Sequence, residues 1–151
     1  MPADIQIRTA GIHEKRALEQ LQLRASLANE GDRDHLLGHP DIISIPEAQI
    51  ASALVFVAEQ DGKTLGFAAL LPNEDGSIEL DGMFVEPELQ RSGIGRRLVA
   101  HCLAEARQRG APRLQVIANP HALAFYRSCD FREHGTTQTQ FGTGILMDVQ
   151  L

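Results

Sequence analysis

Two hydrophobic rhythms, one of period two and one near 3.6, alternate along this chain and lay out its elements. Residues 4–8, "DIQIR", alternate polar and apolar positions as a short strand does. Thr9 is then a candidate cap for a helix through "IHEKRALEQLQLRASLANE". Leu18, Leu21 and Ala25 share one face of that helix, and Gly31 is placed to stop it. From Asp32 to Ser44 both rhythms fail in "DRDHLLGHPDIIS", where Gly38 and Pro40 act as breakers, so a loop or a broken helix is expected. Pro46 opens a short helical piece, "PEAQIASA", because at the first helical position its missing N–H costs nothing.

Apolar runs then take over. "LVFVAEQ" and "TLGFAALLP" read as strands joined through Asp61-Gly62, a strong hairpin signal, and "SIELDGMFV" follows after the turn "NEDG". The next segment is helical, with Ile94, Leu98, Cys102 and Ala106 recurring every four residues. "RLQVIA" has the look of a buried strand, so strand, helix and strand in succession predict a parallel crossover. A second short helix, "PHALAFYRSC", precedes a tail, "FREHGTTQTQFGTGILMDVQL", with two more strands. The predicted fold is α/β: a mixed, mostly antiparallel central sheet flanked by helices on both faces.

Composition narrows the classes of function. With 151 residues and 43% hydrophobic content, one domain over residues 1–151 is the expectation. Fourteen basic residues against twenty acidic ones leave a net charge of −6, and no basic face for bulk nucleic-acid binding. Cys102 and Cys129 have neither the number nor the spacing of a disulfide framework or a zinc site. The start, "MPADIQIRTA", lacks the pattern of a signal peptide, and no apolar run nears the ~20 residues that span a bilayer. A soluble cytoplasmic protein, bound to neither membrane nor nucleic acid, is the expectation.

Candidate chemistry gathers in "EPELQRSGIGRRL", at the joint of a strand and a helix. The first turn of a helix presents amides without partners inside the helix, and its dipole adds positive charge there. Gly93 and Gly95 remove side chains from that turn, while Arg91, Arg96 and Arg97 add formal charge, which makes an anion site. A Rossmann fingerprint would need glycine where Leu98 stands, and a Walker loop would need the absent Gly-Lys-Ser/Thr. The plain alternative is a tight turn whose glycines serve geometry alone.

"QRSGIG", Gln90 to Gly95, resembles the Gln/Arg-x-x-Gly-x-Gly/Ala signature of the GNAT family of N-acetyltransferases. The hairpin "VAEQDGKTLGFAAL", the strand and turn "MFVEPELQ", and "NPHALAFY" stand around it in the family's order, over roughly residues 4 to 135. The resemblance implies that acetyl-CoA is a co-substrate and that no metal is needed. Its pyrophosphate would rest on Gln90, Arg91, Ser92, Gly93, Ile94, Gly95, Arg96 and Arg97, and its pantetheine arm on Met83, Phe84 and Val85, with Gly82 letting the strand bulge. Asn119 and Phe125 would also contact the cofactor, and Tyr126 would stand near the thiolate leaving group. Where the family usually ends the second helix with glycine, this chain has Asp130, which tolerates the left-handed turn at moderate cost.

Acetyl transfer to an amine requires a neutral nucleophile, a polarised carbonyl and a protonated leaving thiolate. Tyr126 is the candidate acid, and the backbone N–H of Val85 the candidate to polarise the carbonyl. Glu79 and Asp81, two apart on one strand, share a face and are candidate bases, or else solvated strand carboxylates. His35 and His39 have the spacing of a metal pair, but Gly38 and Pro40 break the helix that would align them, leaving a role in lining the acceptor pocket. His121 is expected beside the cofactor, His101 on an exposed surface, and both cysteines in the core. The amine acceptor itself is not legible, since residues 28–46 and 134–144 carry no motif. A catalytically silent acyl-CoA-binding sensor is the alternative from a different class, and a homodimer is an expectation from the family alone.

Overall fold

Each of the seven expected strands forms in the computed structural model, which describes residues 4–28, 38, 43–139 and 142–151. Strand β1 (Gln6–Thr9) pairs antiparallel with β2 (Val55–Gln60). Thr9 ends that strand, paired with Phe56, and the cap position falls to Gly11. The helix start is built by Glu14 instead, whose carboxylate accepts the Gly11 N–H at 3.1 Å and is itself forked by Arg8 at 2.7 and 3.1 Å. After a 3-10 turn at Ile12–Glu14, helix α1 runs over Lys15–Leu27 and buries Leu18, Leu21 and Ala25. The Gly31 stop, His35, His39 and most of the segment before Ile43 lie outside the described residues.

Pro46 stands one position earlier than expected, as the residue capping helix α2 (Glu47–Ala51). Beyond it, β2 and β3 (Lys63–Pro72) form the hairpin, and its turn residues Asp61 and Gly62 take φ of 54° and 76°. Two positive φ angles are what a turn matching the strand twist demands. Val55 through Ala58 are all buried, so both faces of β2 are covered, which explains its unbroken apolar run. On one of those faces Val55, Val57, Phe67 and Ala69 pack with Leu18, Leu21, Ile45 and Ile50.

Strand β4 (Ile78–Val85) leads through a 3-10 turn, Pro87–Leu89, to helix α3 (Ile94–Gln108) and then β5 (Arg113–Ala118). Strands β4 and β5 are parallel, as the crossover predicted. Helix α4 (Leu123–Ser128) precedes β6 (Arg132–Thr139) and β7 (Gly142–Gln150), which pairs antiparallel with both β5 and β6. The full order is β1-β2-β3-β4-β5-β7-β6, giving the α/β class with a mostly antiparallel sheet. Strand β6 lies at one edge, almost wholly polar and largely exposed, which blunts the edge against further pairing.

The chain groups into two compact units: residues up to Ala69 with Gly82–Leu98, and Leu70–Asp81 with Val99–Leu151. Strands β3 and β4 and helix α3 each run from one into the other without a break. In the second unit Leu114, Val116, Ala118, Met147, Cys102 and Ala106 are buried. Among the described residues no helix is long and apolar enough to cross a membrane.

Candidate active site

The joint is built by two left-handed residues. Gln90 is extended, then Arg91 takes φ 67° and Gly93 φ 89°, and α3 starts at Ile94. The Ser92 hydroxyl donates to the carbonyl of Leu89, and the Arg97 N–H to that of Gly93 at 3.2 Å. By helix geometry the amides of Ile94 and Gly95, ahead of that bond, have no acceptor within the helix.

A Cβ on Gly93 would meet nothing within 4 Å, so the position is open to a ligand. Its φ nevertheless strains any side chain there, so a bulky substitution would test backbone conformation together with ligand space. Gln90, Arg91, Ser92 and Arg96 are exposed. Ile94 is buried in the core and can offer a ligand only its backbone. Arg97 is exposed, but its guanidinium donates to the Ile5 carbonyl at 3.0 Å, which turns part of its fork toward the start of β1.

At the end of β4, Met83, Phe84 and Val85 are half-buried. The Phe84 ring packs on the core, 5.5 Å from that of Phe67, so its backbone is what remains for a ligand. A Cβ on Gly82 would lie 2.9 Å from Cε2 of Phe84, so a side chain there would have to displace that ring. Gly66 was not singled out from the sequence, yet a Cβ on it would lie 2.7 Å from the Phe84 carbonyl oxygen and 3.2 Å from Cα of Val85. The available signal was a lone glycine inside a strand pattern, which marks a close backbone approach.

The proposed bases lie where β4 meets β5. Their ladder has two pairs, Ile78 with Leu114 and Glu79 with Gln115, while β5 continues to Ala118 in pairs with β7. Ile78 and Leu80 are buried, whereas Glu79 is half-buried and Asp81 exposed, so the carboxylates do share the outer face. Burial pushes the Glu79 carboxyl above its usual range. A long hydrogen bond from Gln115 Nε2 at 3.5 Å opposes that rise, and the charge of Asp81 adds to it. Gln115 had no signal in the sequence, because parallel pairing across a crossover cannot be counted from spacing.

Tyr126 is buried on the third residue from the end of α4, and the helix termination explains why. The N–H groups of Asp130 and Phe131 donate to the carbonyls of Arg127 and Tyr126 at 3.0 and 3.1 Å, a Schellman closure with Asp130 left-handed at φ 71°. Phe131 then packs edge-on against Tyr126 at 5.3 Å, and half-buried Phe125 does so at 5.1 Å. Aspartate in place of glycine therefore keeps the turn and the seat of the ring. Burial raises the phenol's pKa well above its ordinary value, with further contributions from Cys102 and Cys129, so the hydroxyl keeps its proton.

Asn119 caps the 3-10 turn Pro120–Ala122, its Oδ1 accepting the His121 N–H at 3.2 Å. His121 is exposed, and His101, expected on an exposed surface, is half-buried. Cys102 and Cys129 are buried, and burial pushes the Cys102 thiol up to about 12, away from nucleophilic use. No group of three or more His, Cys, Asp or Glu suited to a metal occurs among the described residues.

A family model described as Acetyltransferase (GNAT) family matches residues 17–131, which takes in the joint, β4, β5 and α4. The chain belongs to the GNAT acetyltransferase family. Among this GNAT protein's relatives, an aminoglycoside N(6′)-acetyltransferase type 1 of Stenotrophomonas maltophilia is 35% identical over 95 residues, 55% of this chain and 62% of the relative. The ribosomal protein bS18 alanine N-acetyltransferase of Escherichia coli K12 is 35% identical over 83 residues, 53% of this chain and 55% of the relative. The chain thus spans about half to six-tenths of the length of these curated relatives. Among solved structures, PaiA N-acetyltransferase of Thermoplasma acidophilum in complex with coenzyme A has a TM-score of 0.81 over 98% of this chain and 99% of that one. At 18% identity that likeness establishes the shared fold.

Proposed function

We propose that this GNAT protein is an acetyl-CoA-dependent N-acetyltransferase that passes the acetyl group directly to a primary amine of a small molecule or peptide. The observation that carries the reading is the joint. Left-handed Arg91 and Gly93 lead into the first turn of a helix, with open space at Gly93 and arginines at the rim. Such a turn fits a pyrophosphate, by amides and dipole together with charge. When bound, acetyl-CoA supplies the thioester carbonyl and the sulfur leaving group.

The amides of Ile94 and Gly95, with Gln90, Arg91, Ser92, Gly93, Arg96 and Arg97, hold the phosphates. The backbone of Met83, Phe84 and Val85 aligns the arm, and the Val85 N–H polarises the carbonyl. Asn119 and Phe125 are further contacts along the arm. Glu79, its proton affinity raised by burial, takes a proton from the amine directly or through water, with Asp81 as the second candidate. As the nitrogen–carbon bond forms and the carbon–sulfur bond breaks, the Tyr126 hydroxyl gives its proton to the departing sulfur. Strand carboxylates also favour an ammonium-bearing acceptor. The names of the relatives, an aminoglycoside and a protein alanine acetyltransferase, support amines of both sizes as candidates.

Calorimetry with acetyl-CoA, followed by a screen of amine pools for release of free coenzyme A, tests the reading. Binding and turnover on at least one amine class are expected. Binding without turnover on any pool would overturn the transferase reading in favour of an acyl-CoA sensor, and absence of binding would overturn the coenzyme site as well.

A further inference from the structure

Glu86 is the residue at which the chain leaves β4 for the joint, and it is tied from every side. Its N–H donates to the Leu65 carbonyl at 2.9 Å, and its carbonyl accepts the Leu89 N–H at 2.9 Å, opening the 3-10 turn. Immediately before it, β4 presses onto the bare Cα of Gly66. Its carboxylate, sheltered with 13% of the side chain exposed, is forked by Arg24 of α1, Nε to Oε2 at 3.4 Å and Nη2 to Oε1.

The contacts continue past Glu86 to the helix. Ser92 closes on the carbonyl of Leu89, and Arg97 on that of Gly93, so the segment from Glu86 to the first turn of α3 forms one hydrogen-bonded succession. Arg24 stands in the last turn of α1, where a cation also suits the helix dipole, and α1 is itself held by buried Leu18, Leu21 and Ala25. A sheltered carboxylate at a strand exit, gripped by a guanidinium 62 residues away, is a fixed point for the backbone that follows it.

We propose that Arg24 is a positioning residue for coenzyme binding: acting through Glu86, it holds the exit of β4 and the glycine joint in the receptive arrangement before the ligand arrives. The proposal rests on the coenzyme reading above. Without the fork the joint samples other arrangements, and apparent affinity falls by the fraction that remains competent. The chemistry is untouched, so kcat at saturating acetyl-CoA stays near native.

Arg24→Met keeps the length of the side chain and removes its charge. Calorimetry with coenzyme A should show about five- to tenfold weaker binding, and kinetics a matching rise in KM for acetyl-CoA with kcat within about twofold. Arg24→Lys, which keeps the charge but loses the planar fork, should recover part of the affinity. Glu86→Gln should weaken binding to a similar degree, and the double variant should be little worse than either single one, because the two act as one unit. Native-like affinity in folded Arg24→Met, with only a lower thermal midpoint, would overturn the positioning role while leaving the coenzyme reading intact. Additive losses in the double variant would overturn action through Glu86. Failure of the native chain to bind coenzyme A would remove the coenzyme reading and this inference together.

Discussion

Tyr126 and Glu79 are perturbed in the same direction, and each for burial first. In the proposed roles, the acid would keep its proton until sulfur departs and the base would hold more firmly the proton it takes. Tyr126→Phe keeps the ring packed against Phe125 and Phe131, so it should bind acetyl-CoA nearly as well as native and turn over ~10²- to 10⁴-fold more slowly. Steady-state kinetics and calorimetry on one preparation check this, and near-native turnover would remove Tyr126 from the mechanism. For Glu79 the rate should rise with pH through a value above the ordinary carboxylate range, and Glu79→Gln should abolish that acidic limb. The folded state binds the Glu79 proton more tightly than the unfolded one, so this group costs stability as pH rises through its raised pKa. The amide variant should accordingly be at least as stable as native at neutral pH, by thermal melting.

Among the elements, α4 shows how a departure from the family pattern is absorbed. Asp130 occupies the left-handed position that closes the helix, and the same closure seats Phe131 against Tyr126. Asp130→Gly should therefore be at least as stable as native, whereas Asp130→Ala should lose roughly 1 kcal/mol, since alanine has no polar side chain to support that conformation. Urea midpoints for the two variants check the order. At the joint the left-handed conformation recurs at Gly93, which takes it freely, and at Arg91, which lacks that freedom, and the glycine was legible because it stands immediately before the helix pattern. Thr9 misled for a reason that is not local. It has a capping side chain in a capping place, but pairing with Phe56 claimed it for a strand, and Glu14, held by Arg8, accepts the Gly11 N–H instead.

Across the whole chain, β3, β4 and α3 each have residues in both compact units, so each forms whole only when both of its stretches of chain are ordered. A single unfolding transition is expected. Tyr126 is the chain's one tyrosine and there is no tryptophan, so tyrosine fluorescence reports that site while far-UV dichroism reports every helix and strand. The two midpoints should coincide, and coenzyme A at about 100 times its Kd should raise both by roughly 2.7 kcal/mol of stability. Separate midpoints, with only one moved by the ligand, would contradict this.

What the sequence determined by itself is whatever depends on neighbours in the chain. Apolar runs and rhythms marked most strands and helices, turn chemistry set the Asp61-Gly62 hairpin, and glycines beside arginines marked the joint, because each is a property of a few consecutive residues. The tertiary structure alone decided which distant residues meet. Gly66 lies under the Phe84 carbonyl, Gln115 reaches Glu79, and Arg24 grips Glu86 across 62 positions. No periodicity relates such residues, since strand register and helix docking are set by the combined fit of the core. The acceptor belongs to the same class of question, because an amine is recognised by side chains that only folding brings together.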